Sequence, residues 1–214
     1  MPNTWDPYSV PPENAVRRLV EGNRRFRDGT STNPGRAWSP AMATTAQRPF
    51  AIVLGCSDSR MPVEIVFDQG FGDLFVVRVA GNIVAPSLVG SIEFAASQFG
   101  TRLVVVMGHT RCGAVTATLQ ALETGHGPES KNLRAITDRI APHVETLLEG
   151  SKAEAVLERA VRANVRASVA QLQHGSRMIE DLVVADRLVI VGAVYDLDTG
   201  LVNFITPVTT APSP

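Results

Sequence analysis

The chain has 214 residues, 44% of them hydrophobic, with 20 Lys and Arg against 21 Asp and Glu and a formal charge of −1. This composition suits one globular domain with a sizeable core and excludes the disordered and collagen-like classes. The balanced charge argues against a dedicated binder of nucleic acid or anionic membrane, and no apolar run approaches the ~18 residues that span a bilayer.

The opening residues, Met1-Pro2-Asn3-Thr4-Trp5-Asp6-Pro7, lack the basic start and apolar core of a signal peptide, so the expected address is the cytoplasm. Pro2, Pro7, Pro11 and Pro12 predict an extended arm. From Glu13 to about Arg27, Val16, Leu19, Val20 and Phe26 share one helical face, which could pack on this chain's own core or on a partner's. Residues 28–49, rich in Gly, Pro, Ser and Thr, predict a long surface loop.

An apolar run over 50–55 predicts a strand buried on both faces, as in a parallel sheet. Pro62 in a first turn predicts a short helix over 62–67, and a second strand follows at 74–79. Helical spacing from Leu88 runs to Gly100, a C-cap glycine. The third strand covers 103–108 and leads into a helix containing Cys112, Val115, Leu119 and Leu122, ending near Gly125. Residues 128–150 read as helical with a break or kink at Pro142. Ser151 and Glu154 have the spacing of a capping box, opening a helix to about Gln173, with a shorter one near 176–183. The last elements are a strand over 188–195, a tight turn at Asp198-Thr199-Gly200 and an antiparallel strand near 201–205.

Strands alternating with helices predict an α/β fold in a single domain over 1–214: a mostly parallel central sheet with one antiparallel edge strand, helices on both faces and an N-terminal helical arm. Ligands of open α/β sheets collect beyond the carboxyl ends of strands, where strand order reverses. Two such ends carry reactive residues. The first strand ends in Gly55-Cys56-Ser57-Asp58-Ser59-Arg60 and the third in Gly108-His109-Thr110-Arg111-Cys112-Gly113.

Cys56 and Cys112 are the only cysteines in the chain. In a reducing compartment a Cys/His cluster reads as metal-binding or catalytic, and a single disulfide is the alternative. Catalytic zinc takes three protein ligands of this kind and leaves a fourth position open. Cys56, His109 and Cys112 offer that set, and a helix start favours the thiolate. Asp58 could become the fourth ligand and close the site. If Arg60 instead holds Asp58 as a bidentate pair, the position stays open and Asp58 can orient the nucleophile. Phosphate-binding motifs are not met: no Lys-Ser/Thr pair follows the two-glycine frame at 108–113, and no G-x-G-x-x-G follows a strand.

Cys56-Ser57-Asp58-Ser59-Arg60 and His109-Thr110-Arg111-Cys112-Gly113 together resemble the β-class carbonic anhydrases. The resemblance extends through Glu21-Gly22-Asn23-Arg24-Arg25-Phe26, Phe75-Val76-Val77-Arg78, Ala80-Gly81-Asn82, Gly90-Ser91-Ile92-Glu93-Phe94 and Val194-Tyr195-Asp196. It implies one Zn2+ per subunit at Cys56, His109 and Cys112, with Asp58 and Arg60 as the catalytic dyad and Asp58 a ligand only in a closed state. The implied reaction is reversible hydration of carbon dioxide to bicarbonate and a proton, by attack of a zinc-bound hydroxide. It also implies substrate contacts from Gln47, Gly113, Phe75 and Phe94, in a cleft formed between the subunits of a homodimer or homotetramer. There the helix over 13–27 would embrace the partner. A bicarbonate-inhibited subgroup carries Trp where this chain has Val53, although Arg78 and Tyr195 stand at that subgroup's other anion-site positions. Rival readings are a carbonyl sulfide or carbon disulfide hydrolase on the same scaffold, and a non-catalytic zinc-binding bicarbonate sensor.

Overall fold

The computed structural model describes residues 9–32 and 47–206, so residues 1–8 of the predicted arm and 33–46 of the loop predicted over 28–49 lie outside the described residues. Helix α1 (Pro12–Arg27) starts with a proline in its first turn, where the missing N–H costs no hydrogen bond. Strand β1 (Ala51–Gly55) is buried throughout and is followed by a one-turn helix α2 (Val63–Val66) and strand β2 (Leu74–Arg78). Helix α3 (Pro86–Phe99) begins two residues before the expected Leu88, again because proline suits a first turn, and Gly100 ends it in the left-handed conformation (φ 62°). Strand β3 (Leu103–His109) and helix α4 (Gly113–Thr124) come next.

The helix expected over 128–150 is shorter. Helix α5 (Lys131–Ile140) is capped by Ser130, and beyond it Pro142 lies in the first of two 3-10 turns, Ala141–His143 and Glu145–Leu148. Helix α6 (Ala153–His174) corrects a second expectation. Its N-cap is Lys152, with no side-chain cap bond, so Ser151 and Glu154 form no capping box. Ser151 instead donates its backbone N–H to Leu148 at the end of the preceding turn, which places it one residue too early to cap. Helix α7 (Arg177–Val184), strand β4 (Val189–Tyr195) and strand β5 (Val202–Phe204) complete the described chain.

The sheet order is β2-β1-β3-β4-β5, with the first three pairings parallel and β4/β5 antiparallel. Helices cover both faces. A Cβ added at Gly55 would meet Met61 and Val63, which puts α2 on the face shared by Gly55 and its register partner Met107. The next residue, Gly108, faces the other way, and there a Cβ would lie 2.7 Å from Val165 of α6. Gly108 thus lets α6 come down close onto β3.

Helix α1 packs on its own chain. Ala15 and Leu19 are fully buried, and a Cβ at Gly22 would fall 1.9 Å from the Phe67 carbonyl oxygen. Asn23 ties the helix to two distant elements: its Nδ2 donates to the carbonyls of Val66 and Gly200 (3.1 and 2.9 Å), and its Oδ1 accepts from the Val202 N–H (2.9 Å). Arg25 pairs with the buried Asp68 carboxylate at 2.6 Å, and Arg18 reaches Asp73 at 2.8 Å.

Because β1 is flanked by β2 on one side and β3 on the other, strand order reverses between β1 and β3. Both strands point their carboxyl ends the same way, so Cys56 and His109 leave the sheet at one crevice.

Candidate metal centre and active site

Cys56, His109 and Cys112 converge at that crevice, with their ligand atoms all within 4.8 Å of one another. Residues 56 and 109 come from strand ends. Cys112 comes from the N-cap of α4, reached because Arg111 adopts a left-handed conformation (φ 56°) that turns the chain back toward the site. The two sulfurs are 4.0 Å apart, and all three side chains are buried.

The imidazole fixes which atom is free to act as a donor. His109 Nδ1 lies 2.9 Å from the Thr110 carbonyl, which can only accept, so Nδ1 carries the proton and Nε2 presents a lone pair. Nε2 is buried without a hydrogen-bond partner. A buried acceptor left unpaired costs stability unless something occupies it, and a lone pair beside two thiols fits a zinc donor set.

The thiols divide one proton unevenly. A hydrogen bond from Cys112 first of all, helped by the Gly81 N–H (3.3 Å from Sγ), outweighs burial and holds Cys56 down to about 4. Cys112 is pushed up by its bond to Cys56 and by burial, although the Ala114 and Val115 amides at the start of α4 pull the other way. The helix start favours the Cys112 thiolate, as expected, but Cys56 outweighs it. Burial opposes the charged form of His109, yet the neighbouring Cys56 more than offsets this and raises it.

Asp58 sits beside this trio and is held aside from it. Arg60 donates through Nε to Oδ1 (2.9 Å) and through Nη2 to Oδ2 (2.7 Å), and its backbone N–H also reaches Oδ1 (2.9 Å). This bidentate grip holds the carboxyl well below the usual range, so Asp58 is ionised and accepts only. Its Oδ2 stands 3.8 Å from His109 Nε2.

The remaining expected residues are placed differently. Gly113 is the first residue of α4, exposed, and a Cβ there would meet nothing within 4 Å. Gln47 is exposed and lies against Gly72, ahead of the amino end of β1, whereas Cys56 follows its carboxyl end. Phe75 pairs in register with Ile52, three residues short of Gly55, and its ring packs 6.3 Å from that of Phe94 and 6.0 Å from that of Phe99. Phe94 is 52% exposed. A single chain therefore brings together the Cys56, His109 and Cys112 group and the Asp58–Arg60 pair, while Gln47 lies beyond the other end of β1 and Phe75 and Phe94 pack against each other away from that strand end.

Two contacts at the site have no counterpart in the sequence reading. Gly81 turns in the left-handed region (φ 72°), which aims its N–H at the Cys56 sulfur, and Asn164 of α6 donates to the Gly81 carbonyl at 2.8 Å. The Gly-Asn pair after β2 is a turn signal, but nothing local shows that the turn lies on a cysteine. Tyr195, at the anion-site position of the resembled subgroup, is buried and pairs with His109 across β3/β4, its carbonyl accepting from the Thr110 N–H at 2.9 Å.

The sequence over 51–202 matches the profile of the carbonic anhydrase family. A carbonic anhydrase of Mycolicibacterium smegmatis is 42% identical, over 90% of this chain and 92% of that protein. The solved β-carbonic anhydrase CcaA superimposes with a TM-score of 0.68 at 25% identity, covering 91% of this chain and 92% of that one. Tetrameric β-carbonic anhydrases from the ascomycete Sordaria macrospora share the fold, with a TM-score of 0.70 at 21% identity over 92% of this chain and 99% of theirs.

Proposed function

Because the chain belongs to the β-class carbonic anhydrase family, we propose that it catalyses the reversible hydration of carbon dioxide to bicarbonate and a proton. One zinc ion per chain would be held by Cys56, His109 and Cys112. The observation that carries this reading is the buried, unpartnered His109 Nε2 facing two thiols. Zinc in such a donor set supplies the Lewis acidity that brings the ionisation of a water down toward neutral pH.

The chain's own residues supply orientation. Asp58, ionised and gripped on both oxygens by Arg60, is a fixed acceptor that takes a hydrogen bond from the reacting water and turns its lone pair toward the carbon of the substrate. The same grip keeps the carboxylate from becoming a fourth ligand. Arg60 is 54% exposed, so the pair stands at the mouth of the site, where a released proton reaches solvent.

Gln47, Phe75 and Phe94 are proposed to serve a site completed by a second subunit, since the exposed Gln47 and Phe94 lie apart from the ligands of their own chain. A homodimer or homotetramer agrees with this, and the Sordaria macrospora relatives are tetrameric. No helix among the described residues is long and apolar enough to cross a membrane. The proposed cytoplasmic address is supported by two free thiols committed to one metal-type site, which a reducing compartment preserves.

The test is stopped-flow carbon dioxide hydration from about pH 6.5 to 9, a range that brackets a metal-activated water, with zinc measured in the same sample. Hydration across that range is expected. Full zinc with no hydration at any pH would overturn the reading in favour of a sulfur-containing gas or a sensing role.

A further inference from the structure

Arg78 ends β2 and lies opposite Gly55 in the β1/β2 register, beside the point where the loop bearing Cys56 and Asp58 leaves the sheet. Its guanidinium grips that loop. Nε donates to the Cys56 carbonyl at 3.0 Å and Nη2 to the Asp58 carbonyl at 2.7 Å, so one planar fork holds the backbone on both sides of Ser57. The Asp58 carbonyl also accepts the Met61 N–H at 3.1 Å, and the Ser57 N–H donates to Val79 at 3.2 Å.

We infer that Arg78 is a positioning residue for the reaction, fixing the backbone of Cys56 and Asp58 so that the Asp58 carboxylate meets Arg60 and stays aside from the metal ligands. The inference rests on the roles proposed above for Asp58 and Arg60. An aspartate has a short side chain, so the place of its carboxylate is set largely by its backbone. Misplacing a reacting group by an ångström can cost about 100-fold in rate. The guanidinium edge formed by Nε and Nη2 is engaged by the loop and is not available to fork an anion. A lysine at this position carries its donors on one flexible point charge and lacks the planar fork that fits both carbonyls.

The test compares the zinc-loaded parent with Arg78→Ala, Arg78→Lys, Asp58→Asn and the double variant Arg78→Ala/Asp58→Asn. It reads zinc content, kcat and KM for carbon dioxide hydration, and amide hydrogen exchange over 57–61. Arg78→Ala is expected to keep its zinc and hold KM within about twofold, while kcat falls about 10- to 100-fold, the usual cost of losing an outer-sphere partner. The 57–61 amides should exchange about tenfold faster, because the loop loses the guanidinium that ties its Cys56 and Asp58 carbonyls to β2 and opens more often. Arg78→Lys should recover part of kcat.

In the Asp58→Asn background, Arg78→Ala should cost less than about a further twofold, since two residues acting through one interaction do not add. Equal losses in both backgrounds, or normal kcat in Arg78→Ala, would overturn the inference and leave the Asp58 assignment standing. Full activity in Asp58→Asn alone would remove that assignment and the inference with it. If Arg78→Ala does not fold, Arg78→Lys carries the same comparison, and normal kcat with unchanged exchange in that variant counts against the fork.

Discussion

Asp58 and Arg60, two residues apart in one loop, meet edge to edge, Nε to Oδ1 at 2.9 Å and Nη2 to Oδ2 at 2.7 Å. The Arg60 backbone N–H also donates to Oδ1 at 2.9 Å, so that one oxygen receives both the backbone and the side chain of Arg60.

Arg60→Ala removes the restraint while leaving the three proposed metal ligands untouched. The variant is expected to bind zinc stoichiometrically and to lose about 10- to 100-fold in hydration rate, as for other outer-sphere partners. Paired zinc analysis and stopped-flow hydration check this, and a fully active variant would show that Asp58 needs no clamp.

Cys112→Ser replaces a buried sulfur donor with a poor zinc ligand and leaves His109 and Cys56 as an incomplete set. Zinc and activity should be lost together. Tightly held, stoichiometric zinc in the variant would contradict the ligand assignment.

Removing the metal should leave one charged thiol. With Cys56 held down to about 4, foremost by the hydrogen bond from Cys112, its charge is present above that pH and lost as pH falls through it, while Cys112 stays protonated at neutral pH. Thiolate ultraviolet absorbance of chelator-treated protein should therefore show one thiolate per chain at pH 7. Two neutral thiols at that pH would refute the pairing.

The docking of α1 on its own chain depends on Asn23. Asn23→Ala leaves two carbonyls and the Val202 N–H without their partner in a buried place, a cost of about 2–3 kcal/mol. Gly22→Ala should also destabilise, by about 1–3 kcal/mol, through the clash with the Phe67 carbonyl. Urea unfolding measures both, and unchanged midpoints would mean that the helix does not rely on these contacts.

Much of this protein was legible from local pattern. The apolar runs that became β1, β3 and β4, the glycine stops at Gly100 and Gly125, and the two reactive strand ends follow from residue type and spacing, which act over a few residues. The expected cap of α6 fails for the same reason. The Ser151/Glu154 spacing is a local signal, and it gave way when the preceding 3-10 turn took up the Ser151 backbone.

By itself the sequence determined the α/β alternation, the choice of Cys56, His109 and Cys112 as candidate metal donors and the presence of a carboxylate and a guanidinium within four residues of Cys56. Only the tertiary structure decided that β1 and β3 are neighbours, that Arg78 holds the loop it faces, that Gly81 donates to Cys56 and that Gln47 lies beyond the amino end of β1, against Gly72. The physical reason is range. Side-chain periodicity and turn chemistry are written in adjacent residues, whereas strand order and the hydrogen bonds between elements come from burying many surfaces at once, and no single stretch of chain records that outcome.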